Sequence, residues 1–238
     1  MKSLINISDF FIPRFCICCN SKLSSSELLV CENCRANFKR VDDETLQNEY
    51  QHKFTDSNLI TDFYSHLIFE KESEIQTLIH SLKYNGKFLV GQMLGMLIAK
   101  EARSKINSWH CDVIIPIPLH PLKKATRGYN QAYFISKGIS KTLGIPILKN
   151  GIKRIKMTKT QTKLNAMQRK ENMHGAFKIR RKNIVHNKNI LLVDDVITTG
   201  ATVKECAKSL VKNNASKVFA LSVAIPNPYL HSTFSREQ

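Results

Sequence analysis

The run Asn189-Ile-Leu-Leu-Val-Asp194-Asp195-Val-Ile-Thr198-Thr199-Gly200-Ala201-Thr202 constrains this chain more than any other segment. Its continuous apolar start reads as a strand buried on both faces, the kind found in parallel sheets covered by helices. The strand ends in two carboxylates, and open α/β sheets bind ligands at the carboxyl ends of their strands. The turn that follows is made of small and hydroxylated residues and leads into a helix with Val203, Ala207, Leu210 and Val211 on one face. Small residues let backbone N–H groups approach an anion, threonine hydroxyls donate to it, and the helix dipole favours its charge. Two aspartates beside a phosphate repel it unless they face something else, such as sugar hydroxyls or a metal. A sugar phosphate with a free diol satisfies both halves. Helix capping by Thr198 or Thr199 is the simpler account, but it leaves the acidic pair without a task.

The rest of the pattern extends this strand into a sheet. Val218 to Ile225 reads as a second apolar strand, and Val113 to Ile115 as a third that Pro116 and Pro118 bring to a stop. A short strand is expected near Ile145 to Leu148. Ile75, Leu78, Ile79 and Leu82 fall at i, i+3, i+4 and i+7 of a helix starting at Glu74, and another helix is expected from about Asn130 to Leu143. The apolar run Phe88 to Ala99 reads as a buried helix, with Gly91 and Gly95 on one face for close packing. It is too short to span a hydrocarbon core of about 30 Å. Strand and helix in alternation predict a parallel sheet covered on both faces. The N-terminus has one lysine, then Asp9 and Pro13 within its apolar stretch, and no small-residue cleavage site, which points to the cytoplasm.

Five of the seven cysteines lie between residues 16 and 34, as Cys16-Ile-Cys18-Cys19 and Cys31-Glu-Asn-Cys34. Two Cys-x-x-Cys pairs joined by a short loop supply four thiolates for tetrahedral zinc, with Cys16, Cys19, Cys31 and Cys34 as the expected ligands. Cys18 is the alternative to Cys19, against the spacing. Disulfides would need an oxidising compartment that nothing else in the chain supports. Four thiolates leave no open coordination position, so the zinc would be structural and would supply this small segment's folding free energy. Cys111 and Cys206 are isolated and read as buried small hydrophobes. Residues 35–60 are polar and acidic without a strong pattern, which suits a loose connection. The expected division is a zinc-finger module at 1–45, a linker at 46–73, the main domain at 74–228 and a polar tail at 229–238.

Charge points to an anionic partner. Lysine and arginine number 36 against 19 acids, a net of +17, in a chain whose 42% hydrophobic content excludes global disorder. Residues 1–102 carry 11 basic and 13 acidic side chains, and residues 103–238 carry 25 and 6. Between Lys149 and Lys182, 12 basic residues meet one acid, Glu171. The anion should therefore meet the C-terminal part.

Read in order, the cysteine pairs, Lys83-Tyr84, Pro116-Ile-Pro118-Leu119-His120, Arg127-Gly-Tyr-Asn130-Gln131, Thr158 through Gln161, Arg169 with Asn172, Gly175-Ala-Phe177 and the acidic motif resemble the ComF family over nearly the whole chain. The acidic motif itself looks like the phosphoribosyl-pyrophosphate (PRPP) motif of type I phosphoribosyltransferases. The departures are small: Tyr129 where Phe is usual, Lys124 where Arg is common, and Cys18 as an addition.

The resemblance implies an α/β type I phosphoribosyltransferase fold, a parallel sheet flanked by helices, with a small N-terminal four-cysteine zinc module. By it, Asp194 and Asp195 would hold the ribose hydroxyls with Mg²⁺, and Thr198, Thr199, Gly200, Ala201 and Thr202 the 5-phosphate. The backbone of Ile117, Pro118 and Leu119, with Arg127, would meet pyrophosphate, although a proline-terminated strand also accounts for the prolines. Residues 156–175 resemble a flexible loop carrying Thr158, Gln161 and Arg169, and their basic character suits DNA phosphates equally well. The implied function is PRPP and single-stranded DNA binding in DNA uptake for natural transformation (competence), with DNA-uptake or helicase-like proteins as partners. The chain would be cytoplasmic, without membrane insertion, and brought near the inner membrane only through those partners. Catalysis of the pentosyltransferase class stays open. The alternatives are a non-catalytic DNA-binding accessory protein with PRPP as regulatory or structural ligand, and a nucleobase-salvage phosphoribosyltransferase. Tyr129, Phe134 and Phe177 are candidates to stack bases, with a core role as the competing account.

Overall fold

Four parallel strands carry the fold in the computed structural model, which describes residues 13–156, 174–180 and 182–228. Asp62–Phe69 (β1), Lys217–Pro226 (β6), Asn189–Val196 (β5) and Val113–Pro116 (β2) lie side by side in that order. β5 and β6 occupy the middle, and this position is what their unbroken apolar runs require. Alternate residues serve opposite faces: Leu191 and Val193 join one apolar cluster, Ile190 and Leu192 the other.

On the first face pack Glu74–Tyr84 (α3), Phe88–Glu101 (α4), Arg103–Ser108 (α5) and Gln131–Leu143 (α7). The α3 stripe of Ile75, Leu78, Ile79 and Leu82 is buried as its spacing requires. α4 and α7 touch backbone to backbone: a methyl on Gly95 would run into the Ile135 carbonyl, and one on Gly138 into the Gln92 carbonyl. On the second face pack Asp43–Phe54 (α2), Ala201–Val211 (α8) and an antiparallel ribbon of Ile152–Arg154 (β3) with Phe177–Ile179 (β4). Two short helices, Glu32–Ala36 (α1) and Pro121–Arg127 (α6), complete the elements that bear on the site.

Several expectations are corrected. The loose connection at 35–60 contains α2, capped by the Asp42 carboxylate accepting from the Thr45 amide at 2.7 Å, and the linker span 46–73 also supplies the edge strand β1. Its polar composition reflects one exposed side, while Leu46 and Phe54 are buried. The strand near Ile145 to Leu148 shrinks to a single bridge between Ile147 and Ile114. On α8, Val211 leaves the expected apolar face and lies exposed in the last turn, while Cys206 is buried as expected. Helix α6 is an addition to the expected elements; Pro121 opens it and Gly128, at φ 77°, closes it.

The cysteine segment is seated on the first face. Cys16, Leu23, Val30, Cys31 and Cys34 belong to the same apolar cluster as Ile75, Leu78 and Leu67. The chain leaving it runs antiparallel to β1, with the Val41 amide donating to the His66 carbonyl at 3.0 Å and the Ile68 amide to the Lys39 carbonyl at 2.9 Å. Lys39 pairs with Glu70 and Arg40 with Glu101, so two of the module's cations are spent on its own domain. Among the described residues, no helix is long and apolar enough to cross a membrane.

Candidate active site

A cleft of about 140 Å³ opens at the carboxyl ends of β5 and β2. One side comes from β5 and the turn after it. Asp194 and Asp195 are the last acids of the strand, and each carboxylate is turned back on the next amide: Asp195 N–H donates to Asp194 Oδ1 at 2.9 Å, and Val196 N–H to Asp195 Oδ1 at 2.7 Å. Burial, together with the neighbouring Asp195, pushes the Asp194 carboxyl up to about 7; Lys83 and Arg154 pull the other way. Asp195 is paired with Lys83, 2.9 Å away.

The turn reaches the cleft only at its far end. Thr202 lines it, whereas Thr198 is exposed and Thr199 uses its hydroxyl to accept from the Ala201 amide at 3.5 Å. Gly200 adopts φ 71°, a conformation glycine takes without strain, and α2 lies against it: an added methyl would come within 2.9 Å of the Phe54 ring and 3.4 Å of Lys53 Cβ. Lys53 is paired with Glu49, and burial lowers its amine to about 8.

The opposite side is assembled from several elements. Lys83 comes from the last turn of α3, Ile117 to Leu119 from the exit of β2, Arg127 from the end of α6, Asn130 and Gln131 from the start of α7, and Arg154 from β3. Asn130 holds the β2 exit in place: its side-chain amide donates to the Ile117 carbonyl at 2.9 Å, while its oxygen caps α7 at the Ala132 amide. The Ile117 amide is already used, donating to the Val193 carbonyl at 2.9 Å, and Pro118 has no N–H. Of the three backbone groups expected to face an anion, Leu119 alone has an amide without a partner among the described residues, so side chains must supply the remaining donors.

They do so. Lys123 is held below the usual lysine range by burial and then by Arg154, Arg127 and Lys83, which places four cations in one neighbourhood. Gln131 is almost fully buried; its Oε1 accepts from Arg127 at 3.3 Å, and its Nε2 has no hydrogen-bond partner among the described residues. A buried amide donor left open on a polar cleft is costly unless a ligand completes it. The site thus offers two acceptors on one side and an unsatisfied donor with several cations on the other, which suits a ligand with hydroxyl donors at one end and anionic oxygens at the other.

The structure therefore brings Asp194, Asp195, Thr202, Ile117, Pro118, Leu119 and Arg127 around one cleft. Thr198, Thr199, Gly200 and Ala201 form the adjoining turn without lining it. Thr158, Gln161, Arg169 and Asn172 lie outside the described residues. Sequence reading assigns Lys83 and Gln131 no role and does not single out Lys123 or Arg154. Only the two apolar strand ends they flank hint at their use.

A second cluster is of a kind that could hold a metal ion. The sulfurs of Cys16, Cys19, Cys31 and Cys34 all lie within 4.8 Å of one another, and Cys19 and Cys31 are 3.6 Å apart. Sulfurs about 2.3 Å from a zinc at tetrahedral angles are about 3.8 Å apart, so the group fits a metal of that kind. The Cys31 amide donates to Cys16 Sγ at 3.4 Å, an arrangement that supports a thiolate. Cys18 points elsewhere, toward the Glu74 carbonyl at 3.8 Å, and burial pushes its thiol up to about 12.

A parallel sheet with an acidic pair and a small-residue turn at one strand end defines a phosphoribosyltransferase-type domain. The chain belongs to the phosphoribosyl transferase domain family, which matches residues 91–229. Its relatives bear out the ComF resemblance. It is 36% identical over 148 residues to Competence protein F of Haemophilus influenzae, 60% of this chain and 65% of that one. It is 32% identical to DNA utilization protein YhgH of Escherichia coli K12, over 60% of this chain and 64% of that protein. Competence protein ComFC of Bacillus subtilis is 24% identical over 88% of this chain and 83% of its own length. The first two matches span somewhat less than two thirds of the relatives' length.

Proposed function

We propose that the cleft binds PRPP with Mg²⁺ and that the protein handles single-stranded DNA in the cytoplasm during DNA uptake for natural transformation. The observation that carries the PRPP reading is the acidic pair facing, across one cleft, Arg127, Gln131 and the Leu119 amide, with Thr202 at the side. Ribose hydroxyls would donate to Asp194 and Asp195 and relieve the crowding that raises Asp194. Pyrophosphate would meet Arg127, the Gln131 amide and the cations around them, and the 5-phosphate the turn ending at Thr202. Mg²⁺, held by hard oxygens of the acidic pair and the ligand, would neutralise phosphate charge when bound. If the site catalyses transfer, its residues act by positioning and by stabilising charge on departing pyrophosphate.

The DNA half rests on the excess of cations over acids in residues 103–238 and on the names of the relatives. Zinc is the metal proposed for the four cysteines.

Thermal stabilisation by PRPP with Mg²⁺ tests the pocket. A shift is expected for the native protein and none for Asp194→Ala combined with Asp195→Ala; no shift in the native protein would remove the PRPP reading. Pyrophosphate release assayed against a panel of bases and DNA separates a catalyst from a protein that only binds PRPP. Elemental analysis should find one zinc per native chain, retained in Cys18→Ser and lost in Cys19→Ser; the reverse pattern would overturn the ligand set.

A further inference from the structure

Helix α4 is largely apolar, yet its first residues are not covered. Phe88 is 42% exposed and Leu89 51%, beside Tyr84 at 60%. Around Phe88 lies a group of rings too extensive to be a stray surface residue. Phe134 is 4.9 Å from Phe88, 5.2 Å from Tyr129 and 5.4 Å from Tyr133, and Tyr129 is 6.3 Å from Phe88. Tyr129 is tied down by its hydroxyl donating to the Leu82 carbonyl at 2.6 Å. Tyr129, Tyr133 and Phe134 are half-buried, each with one part in the fold and one part outside, so they hold the exposed rings in a fixed arrangement.

Cations stand over these rings. Lys149 lies 4.4 Å from the centre of Tyr133, Lys137 5.8 Å from Phe134, and Arg127 5.3 Å from Tyr84. Lys87 is exposed next to Phe88. None of Arg127, Lys137 or Lys149 has a carboxylate partner among the described residues. Between Tyr84 and Lys149 the sequence holds ten basic residues and two acids, and both acids are engaged: Glu101 with Arg40, and Asp112 with the Asn189 amide. Arg127 belongs both to this face and to the cleft, so the face begins at the cleft mouth.

Exposed rings such as Tyr84 and Phe88, interleaved with cations that have no carboxylate partner among the described residues, suit a polymer of flat bases on an anionic backbone. A duplex hides its base faces, so the match is to a single strand. The cysteine module is a weaker candidate, because Lys39 and Arg40 are already paired. Phe177 is excluded as a stacking residue because it is buried in the second face. We infer that the ring-and-cation face of Tyr84, Phe88, Phe134, Lys137 and Lys149 is the track along which single-stranded DNA lies, passing its bases over the cleft mouth. This rests on the DNA reading above and adds its location.

The test is the affinity of the full-length protein for labelled oligothymidylate, measured against salt. Native binding should weaken steeply as salt rises. Tyr84→Ala with Phe88→Ala should weaken it by about 10-fold or more, because two stacking platforms are removed. Lys137→Gln with Lys149→Gln should lower the slope of log affinity against log salt by about one for each phosphate that no longer has a cation beside it. An unchanged far-ultraviolet circular dichroism spectrum and a cooperative thermal melt in Tyr84→Ala with Phe88→Ala show that the fold persists, and the exposed lysine pair decides the matter if the ring variant does not fold. Native binding with unchanged affinity and slope in both variants would place the DNA elsewhere and overturn this inference alone. No native binding would remove the DNA reading and the track with it. A native dimer made monomeric by the ring variant would mark the face as a contact between copies of this chain and overturn the track.

Discussion

The two walls of the cleft are built in opposite ways. The β5 wall takes Asp194, Asp195 and Thr202 from one short segment of sequence, whereas the facing wall draws Lys83, Leu119, Arg127, Gln131 and Arg154 from α3, the exit of β2, α6, α7 and β3. A contiguous wall needs only local geometry. An assembled wall needs the helices behind it to cross at one fixed distance, so it should be sensitive to substitutions far from any ligand.

The largest effect is expected where α4 meets α7. Gly95→Val drives a branched side chain into the Ile135 carbonyl and should cost about 3 kcal/mol or more, or prevent folding, in urea denaturation. A loss below about 1 kcal/mol would show that the crossing yields and does not hold the assembled wall. Next comes the contiguous wall: Gly200→Ala imposes a side chain at positive φ against Phe54 and should cost about 2 kcal/mol by the same measurement.

A smaller effect of opposite sign belongs to Asp194. Its carboxyl keeps a proton to about 7 in the folded protein, against 3.8 for the ordinary group. The folded state therefore binds more protons in that window, and stability falls as pH rises through it. Asp194→Asn removes the buried charge and should raise stability at pH 8 by about 1–2 kcal/mol, with little change at pH 4, in paired thermal melts. Equal effects at both pH values would mean that Asp194 is not crowded. The smallest effect is expected for exposed Thr198→Ala, within about 0.5 kcal/mol of native stability, with the PRPP-induced shift as the sensitive readout.

The same contrast explains what can be read from the sequence. β5, β6 and the acidic pair announce themselves because burial on both faces, charge and small residues fall in one run. The cysteine pairs do likewise, since two knuckles carry their own spacing. Arg154 and Lys123 carry no local sign: each is a basic residue in a basic stretch, and only the fold shows that Arg154 meets the cleft and that Lys123 stands near it and Arg127. Helix α2 escapes a reading by pattern because its buried side is Thr45, Leu46 and Phe54 alone, too few apolar residues to make a stripe like that of α3. The Ile117 amide, expected to face an anion, is occupied by the β2–β5 ladder, which strand pairing alone reveals.

The stretch around Arg40 that lies along β1 has a consequence for solubility. An uncovered strand at the rim of a sheet is a template for joining another molecule's strand. Here that rim is screened by the chain emerging from the cysteine module, fastened by two main-chain bonds and two ion pairs. A metal held by the four cysteines would therefore also keep the rim closed. If the four cysteines hold the proposed zinc, its removal by a chelator is expected to cause self-association through an opened β1, before any loss of the cleft itself.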